Sequence, residues 1–359
     1  MKTAGLHAPE VLNWHAAHGF MLLSDLGDAT MMSAIDAERP HANHSLYMQA
    51  VDTLVQWQLA SRPGVLPPYD AALLNRELSL FPDWYLAQHR GVPLQAAQRE
   101  VFDKAFALIV QRNLAAPSVY VHRDFMPRNL MLPADPQERR LGVLDFQDAV
   151  HGPITYDIAS LMRDAFLTWD EDFVLDITIR YWEKARKAGL MDFEDWHSDF
   201  GAFYRAVEWM GLQRHLKVAG IFARLTLRDG KPKYLADAPR FLHYIRTTCD
   251  RYRELGPLLK VIDEIEAAGR QEEPWRAEMS GGYYDWLFNQ YTITEPKSQD
   301  SYHDAKISRP SYLDNQGLKS KFIFFIKDDL SPDRSLIFRR VAETSYKNET
   351  AIPHNVKDG

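Results

Sequence analysis

A short polar loop between apolar runs constrains the fold of this 359-residue chain more than any other feature. Val119–Val121 is a β-branched and aromatic run that predicts a strand, and His122–Asn129 is a polar loop. Two further apolar runs follow, Asn129–Leu132 and Leu141–Phe146, separated by the turn-forming residues Pro133–Arg140. The order strand, loop, strand, turn, strand predicts a β-hairpin with polar groups at both ends.

The polar residues of this hairpin have a spacing that suits phosphoryl transfer. His122, Arg123 and Asp124 precede Asn129 in the order of a kinase catalytic loop, and Asp145 follows an apolar strand, as the metal-binding Asp of a kinase does. Asp124 is the candidate base for a hydroxyl proton, and Asn129 and Asp145 offer the oxygen ligands that Mg²⁺ prefers. Each part alone is common in surface loops. The two together favour a phosphotransferase site over a coincidence or a non-catalytic relic.

Composition excludes several other classes of protein. A net charge of −7 argues against a general nucleic-acid binder. Cys249 is the one cysteine, so an intrachain disulfide is impossible and a reducing compartment is expected. No apolar run reaches membrane-spanning length, and the first residues lack the apolar core of a signal peptide. We therefore expect a cytoplasmic protein without membrane or nucleic-acid partners.

The chain on both sides of the hairpin is predicted to be mainly helical. Apolar residues recur at helical spacing in these stretches, which the polar and proline-rich segments between them separate. The predicted helices are Met48–Ala60, Ala96–Asn113, Phe173–Ala188, Asp195–Leu225, Tyr234–Tyr244 and Gly256–Ala268.

Just after the hairpin, Gly152–Pro153 predicts a turn, and a helix is expected to begin near Thr155 or Asp157. Asp157 has two interpretations, a cap of that helix or a buried brace for the loop at His122. Beyond Trp275 the composition changes and no helical pattern persists, although Phe322–Ile326 is compatible with a strand.

The hairpin and its flanks resemble the aminoglycoside phosphotransferase family, which is related to choline kinases. The resemblance lies in VHRDFMPRNLM and LGVLDFQDAVHGPITYDIASL, which match H-x-D-x-x-x-x-N, D-F-x and G-P-x-x-Y-D-[IL]-A. Further stretches are similar to the branch that phosphorylates N-acetylmuramate and N-acetylglucosamine at the anomeric hydroxyl in cell-wall recycling. They are LHAPEVL, GFMLLSDLGD, LFPDWYL and LQRHLKVAGIFARL.

This resemblance implies an α+β, protein-kinase-like fold, mostly a helical C-terminal lobe with a catalytic β-hairpin. It implies ATP as co-substrate, Mg²⁺ as cofactor and an amino sugar as the small-molecule acceptor. The implied roles are catalysis by Asp124 with His122, metal binding by Asn129 and Asp145, a hinge against adenine at Ser24, Asp25 and Leu26, and a brace at Asp157. Glu208, Arg214 and His215 are either a wall of the acceptor site or a solvated helix face.

The resemblance also implies a division of the chain. Residues 1–29 would be the remnant of a nucleotide-binding lobe with its hinge, 30–276 a helical lobe with the catalytic and metal site, and 277–359 an atypical tail. The phosphate-covering loop and strand lysine of a kinase should precede the hinge strand, where no room for them is found. Alternatives therefore remain: an aminoglycoside, choline or homoserine kinase, or a catalytically impaired kinase-family fragment.

Overall fold

The computed structural model describes residues 1–16, 18, 20–134 and 137–271, together with four short strands nearer the C-terminus. The chain divides into two compact units, Met1–Gly269 and Arg270–Gly359. All the residues singled out above as site residues lie in the first unit. Most of the predicted tail, 277–359, lies outside the described residues, so the predicted division into three parts stays a prediction.

The helices enclose one apolar core and confirm the predicted helical character of the flanks. Their apolar faces follow the helical repeat; in α2, for example, Tyr47, Val51 and Leu54 are buried. Among the described residues the α-helices are α1 Met31–Ala34, α2 His44–Leu59, α3 Ala71–Leu78, α4 Ala96–Ala115, α5 Thr155–Met162, α6 Glu171–Lys187, α7 Phe200–Leu227, α8 Ala238–Arg251 and α9 Gly256–Gln271. None of them is both long and apolar enough to cross a bilayer.

The central helix α7 organises this core. It begins where the Asp199 side chain accepts a hydrogen bond from the Ala202 backbone N–H, and it runs for 28 residues. It packs closely on the π-helix Phe81–His89 and on Leu80, the residue before it. The approach is close enough to require glycine at position 220, since a Cβ there would lie 2.4 Å from the Leu80 carbonyl. Helix α7 is therefore held at close range to the segment that begins at Leu80.

The described strands form two-stranded antiparallel sheets. The catalytic region contains two of these pairs, β3 with β6 and β4 with β5, and the N-terminal region contains β1 with β2. The strands are β1 Val11–His15, β2 Phe20–Leu23, β3 Ser118–Val121, β4 Leu130–Met131, β5 Gly142–Val143, β6 Val150–Pro153, β7 Thr292–Ile293, β8 Ile307–Ser308, β9 Lys321–Ile326 and β10 Leu336–Val341.

The structure corrects two predictions in the catalytic region. The hairpin strands are two residues each, shorter than predicted, because the chain leaves the ladder where the site residues begin. Gly152–Pro153 belongs to strand β6, paired with β3, and is not a turn. The glycine is required by close packing instead, since a Cβ at Gly152 would lie 2.6 Å from the Cβ of Tyr69.

The β4–β5 hairpin is held on both edges by the N-terminal segment. The backbone N–H of Val143 donates to the carbonyl of His7 at 2.8 Å, and that of Leu132 donates to the carbonyl of Ala29 at 2.8 Å. The hairpin is therefore the centre of a small, irregular sheet whose outer members come from the first thirty residues.

Candidate active site

The two predicted metal-binding residues lie side by side because of one backbone hydrogen bond. The N–H of Leu144 donates to the carbonyl of Asn129 at 2.9 Å, at the point where strand β4 begins and strand β5 has just ended. Asn129 and the next residue after Leu144, Asp145, are therefore neighbours across the open end of the hairpin.

His122 links the loop to the strand that carries Asp145. Its ring is buried, with Nε2 2.7 Å from the Leu144 carbonyl, and Nδ1 accepts the backbone N–H of Asp124 at 3.3 Å. Since the carbonyl can only accept, Nε2 carries the proton and Nδ1 is unprotonated. The His122 ring thus connects the backbone of Asp124 to the residue before Asp145.

Asp157 holds the loop from below. Its carboxylate accepts hydrogen bonds from the backbone N–H groups of His122 at 2.7 Å and Arg123 at 3.0 Å, and it makes no bond that caps helix α5. Arg123 has a left-handed φ of 78°, which is costly for a residue with a side chain. Burial raises the pKa of Asp157 to about 6, although the His122 ring, the loop N–H groups and Arg214 act in the opposite direction.

Asp124, Asn129 and Asp145 form the open face of the site. The side-chain N–H of Asn129 donates to the carbonyl of Asp124 at 2.9 Å, which leaves the amide oxygen as the free ligand atom of that side chain. Asp145 is exposed, has a left-handed φ of 62°, and accepts a hydrogen bond from Gln147 at 2.8 Å. A strained conformation at an exposed carboxylate is typical of functional sites.

This donor set fits a magnesium ion that is shared with phosphate. Within the described residues no three His, Cys, Asp or Glu side chains are grouped as a metal cluster. An amide oxygen and one carboxylate suit Mg²⁺, which keeps water molecules and takes substrate phosphates as further ligands. These residues do not form a metal site whose ligands all come from the protein.

The predicted hinge residues lie directly beside the hairpin. The side chain of Ser24 accepts the backbone N–H of Glu10 at 2.8 Å, and Asp25 accepts that of Gly27 at 2.9 Å. Leu26 is buried against strand β5, where a Cβ added at Gly142 would lie 2.8 Å from its Cδ1. The segment that follows β2 is therefore anchored to the catalytic hairpin.

The three candidate residues of helix α7 are buried, so the solvated-face alternative is wrong. Glu208, Arg214 and His215 are between 3 and 8% exposed. Glu208 accepts hydrogen bonds from Arg251 and Tyr252, whereas His215 stacks on Tyr244 with ring centroids 4.6 Å apart. The periodicity of α7 could not reveal this, because several elements, among them α4, α5 and α8, pack against the helix.

A cavity of about 260 Å³ brings together two of these three residues. Glu208 and His215 line it, together with Arg163 and Tyr244, while Arg214 lies over the ring of Tyr156 at 5.1 Å and does not. Burial, and then the charges of Arg214 and Arg163, hold the pKa of His215 well below its usual range. His215 therefore faces the cavity as a neutral ring.

Sequence reasoning missed several residues at this cavity and beneath the loop. Arg163, Thr168 and Tyr244 line the cavity, and Glu77 contacts Arg123 from helix α3. Arg163 lies in the MRDAFLTW stretch just after the recognised motif, so its position near the site was a usable signal. Glu77 carries no such signal, because it lies outside every stretch that resembles the family.

Comparison with known proteins decides the family. The model described as "Phosphotransferase enzyme family" matches residues 1–197. The chain belongs to this family. The fold and reaction class inferred from the sequence are thereby confirmed: a protein-kinase-like α+β fold and a phosphotransferase.

Relatives within the family include three proteins named N-acetylmuramate/N-acetylglucosamine kinase. That of Neisseria meningitidis serogroup B is 50% identical over 268 residues, 74% of this chain and 77% of that protein. That of Pseudomonas aeruginosa is 48% identical over 73% of this chain and 74% of that protein. That of Caulobacter vibrioides is 32% identical over 68% and 67%. The predicted similarity to this branch of the family is confirmed.

Solved structures of the same general kind also match. Plasmodium vivax ethanolamine kinase superposes with a TM-score of 0.46 at 11% identity, covering 69% of each chain. The ADP-bound aminoglycoside phosphotransferase APH(2'')-Ib gives a TM-score of 0.41 at 14% identity, covering 67% of this chain and 75% of that one.

Proposed function

We propose that this phosphotransferase moves the γ-phosphate of ATP to the anomeric hydroxyl of N-acetylmuramate or N-acetylglucosamine. The observation that carries the proposal is the 50% identity to a kinase of that name over a span that includes the whole catalytic segment. The product is a sugar 1-phosphate, with ADP as the leaving group.

In the proposed mechanism Asp124 accepts the proton of the acceptor hydroxyl. The hydroxyl oxygen forms a bond to the γ-phosphorus as the bond from that phosphorus to the β–γ bridging oxygen breaks. Asn129 and Asp145 would hold Mg²⁺, which when bound neutralises charge on the phosphates. His122 and Asp157 keep Asp124 and Asp145 in register through the hydrogen bonds described above.

The nucleotide is proposed to lie across the N-terminal segment. In this proposal Ser24, Asp25 and Leu26 present backbone groups to the adenine, and the anchoring of Leu26 on strand β5 sets the distance from adenine to Asp145. Residues 1–29 then serve as the nucleotide part of the chain and 30–276 as the helical, catalytic part. No role is proposed for 277–359.

The sugar is proposed to occupy the cavity beside helix α7. The cavity wall contains Arg163 and Thr168–Glu171, and Phe166 lies between them in the chain. The Phe166 ring is 4.4 Å from the guanidinium carbon of Arg128, so the chain between these two parts of the wall touches the loop that carries Asp124 and Asn129. A neutral His215 and the hydroxyl of Tyr244 suit a polyol. Arg163 is paired with Glu171, so no residue is assigned to the lactyl carboxylate of N-acetylmuramate.

The charges of the cavity favour a sugar over a cationic acceptor. Glu171 pairs with Arg163 at 2.5 Å, and Glu208 pairs with Arg251. An aminoglycoside or choline needs carboxylates that are free to bind a cation. Two of the three carboxylates that line the cavity, Glu171 and Glu208, are already neutralised by arginine, and the third is Asp170. The aminoglycoside, choline and homoserine alternatives are therefore less well supported.

Two measurements test the proposal. Calorimetric titration with ATP, with and without Mg²⁺, should show binding that depends on the metal. Phosphorus NMR with N-acetylglucosamine, N-acetylmuramate, kanamycin and choline as acceptors should show a sugar 1-phosphate only. Magnesium-independent binding, or turnover of choline or kanamycin but neither sugar, would contradict the proposal; a folded chain with no ATP binding would support the impaired-fragment alternative.

Variants of the two carboxylates separate their roles. Asp124→Asn should lower kcat about 10²–10⁴-fold without changing affinity for Mg·ATP, because it removes only a proton acceptor. Asp145→Ala should weaken binding of Mg·ATP while ATP alone binds as before. Asp148→Asn is the matched control, since its exposed carboxylate has no proposed role. Unchanged turnover in Asp124→Asn would remove that residue from the mechanism.

A further inference from the structure

Glu77 is a buried carboxylate that belongs to neither the metal site nor the sugar cavity. It lies near the end of helix α3, is 4% exposed, and collects hydrogen bonds from three other parts of the chain. Arg123 Nη2 lies 2.5 Å from one oxygen, and Gln213 Nε2 donates to the other at 3.0 Å. The hydroxyl of Tyr69 also donates to it, and Lys217 Nζ lies 3.1 Å away.

The Glu77 carboxylate lies between two cations, Arg123 and Lys217. Burial alone would raise the pKa of Glu77, but Lys217, Tyr69, Arg123 and Gln213 together lower it, so the group is a carboxylate at neutral pH. Lys217 also donates to the hydroxyl of Tyr156 at 3.0 Å. Arg123 and Lys217 repel each other, and Glu77 is the negative charge that allows both to stay.

Of the two cations, only Arg123 belongs to the catalytic loop. Its backbone N–H is bound by Asp157, and its guanidinium reaches both Glu77 and, at 3.5 Å, the carbonyl of Asp148. It precedes Asp124 directly and holds a left-handed conformation. Arg123 therefore ties the loop of the proposed base to the loop that follows Asp145.

We propose that Glu77 is a positioning residue that holds the catalytic loop in register through Arg123. This inference rests on the proposed role of Asp124. Asp157 binds the backbone of Arg123 and Glu77 binds its side chain. These two contacts together hold Arg123 in its left-handed conformation. The geometry of Asp124 relative to Asp145 then depends on a carboxylate that touches neither substrate.

Removal of the charge at Glu77 should displace Arg123. In Glu77→Gln the two cations face each other without an anion between them, and the less buried of them, Arg123, is the one that can move toward solvent. A displacement of about 1 Å at a catalytic group costs on the order of 10²-fold in rate. We expect kcat to fall about 10–100-fold, with KM for the sugar and for Mg·ATP changed less than three-fold.

Lys217→Met provides the matched control. It removes the other cation of the same cluster but leaves the Glu77–Arg123 pair intact, so thermal stability should fall while kcat stays within about two-fold. In the double variant Glu77→Gln, Lys217→Met the repulsion is gone and the Gln oxygen still accepts from Arg123. Part of the lost kcat should therefore return in the double variant. If Glu77 only stabilised the fold, the second substitution would instead lower kcat further.

A measurement that does not depend on turnover distinguishes failure of the proposed function from failure of the proposed role of Glu77. Amide hydrogen exchange over residues 119–132 should be faster in Glu77→Gln and in Arg123→Met, and unchanged in Lys217→Met. Arg123→Met tests the contact from the loop side even where Glu77→Gln does not fold. If the wild type turns over no acceptor, the proposed function fails, but the exchange pattern still decides the role of Glu77. Loop exchange equal to wild type in Glu77→Gln or Arg123→Met, or no recovery of kcat in the double variant, overturns the inference.

Discussion

Two antiparallel pairs of similar apolar sequence have opposite environments in this molecule. In the pair β4–β5, the facing residues Leu130 and Val143 are both fully buried. In the pair β1–β2, every residue is exposed, including Leu22 at 60% and Phe20 at 71%. The ladder hydrogen bonds are of the same kind in both, so they cannot be the reason for the difference.

The difference lies in what covers each pair. The catalytic pair has the N-terminal segment on both edges, at His7 and Ala29, and the core beneath it. A two-stranded pair without such cover is marginally stable in water. The precise geometry of Asn129 and Asp145 thus depends on packing around the hairpin rather than on the hairpin itself.

The largest expected loss of stability comes from removing Asp157, which supports the loop before the β4–β5 pair. Asp157→Ala leaves the buried N–H groups of His122 and Arg123 without an acceptor, at a cost of about 1–3 kcal/mol for each. Chemical denaturation should show the loss, and turnover should fall with it. Ser160→Ala on the same helix is the control, since the buried Ser160 hydroxyl has no hydrogen-bond partner among the described residues. Equal stabilities of the two variants would remove Asp157 as a support.

A matched pair of leucines compares the two strand pairs directly. Leu130→Ala should lower the free energy of unfolding by about 2–5 kcal/mol, because it opens a cavity in the core. Leu22→Ala should change it by less than about 0.5 kcal/mol, because the side chain is already in water. Denaturant titrations of both variants measure this, and similar losses would mean that the β1–β2 pair is covered in solution.

The pH dependence of stability tests the burial of Asp157. Its pKa is about 6 in the folded protein and ~3.9 in an unfolded chain, so its contribution is fully present below the lower value and is lost as pH rises through the higher one. The stability of wild type relative to Asp157→Asn should therefore fall by at most about 3 kcal/mol between pH 4.5 and 7.5. A constant or rising difference would contradict the raised pKa.

The smallest effect on folding is expected at the exposed pair, where the consequence is association. Replacing Leu12, Phe20 and Leu22 together by Ser removes three exposed apolar side chains from this pair and should reduce self-association at high concentration without changing stability. Sedimentation velocity measures this. Val65→Ser, at an isolated exposed valine, is the control and should have no effect. Unchanged association in the triple variant would mean that another surface is responsible.

Local patterns were sufficient for much of the fold. The predicted helices Met48–Ala60 and Ala96–Asn113 correspond to α2 and α4 within a few residues, because a buried helix face repeats every three to four positions. The β3–β6 pairing was not predicted, because its partners are thirty residues apart and Gly152–Pro153 has the local character of a turn.

The same division holds for the candidate site. Motif spacing identified His122, Asp124, Asn129 and Asp145, and the residue types already indicate proton and metal chemistry. The interpretation of Asp157 stayed open, since a cap and a loop support have the same sequence. The bonds to His122 and Arg123, which lie 35 and 34 residues away, are visible only in three dimensions.

The sequence by itself determined the family and the helical character of the flanks, and it predicted the residues proposed for the chemistry, because these depend on residue type and short-range spacing. Only the tertiary structure decided that Glu77, Glu208 and His215 are buried and which charges they meet. Burial and ion pairing depend on elements far apart in the chain, such as Glu77 and Arg123, 46 residues apart. A charged residue on a short helix has the same local sequence whether water or an arginine lies opposite.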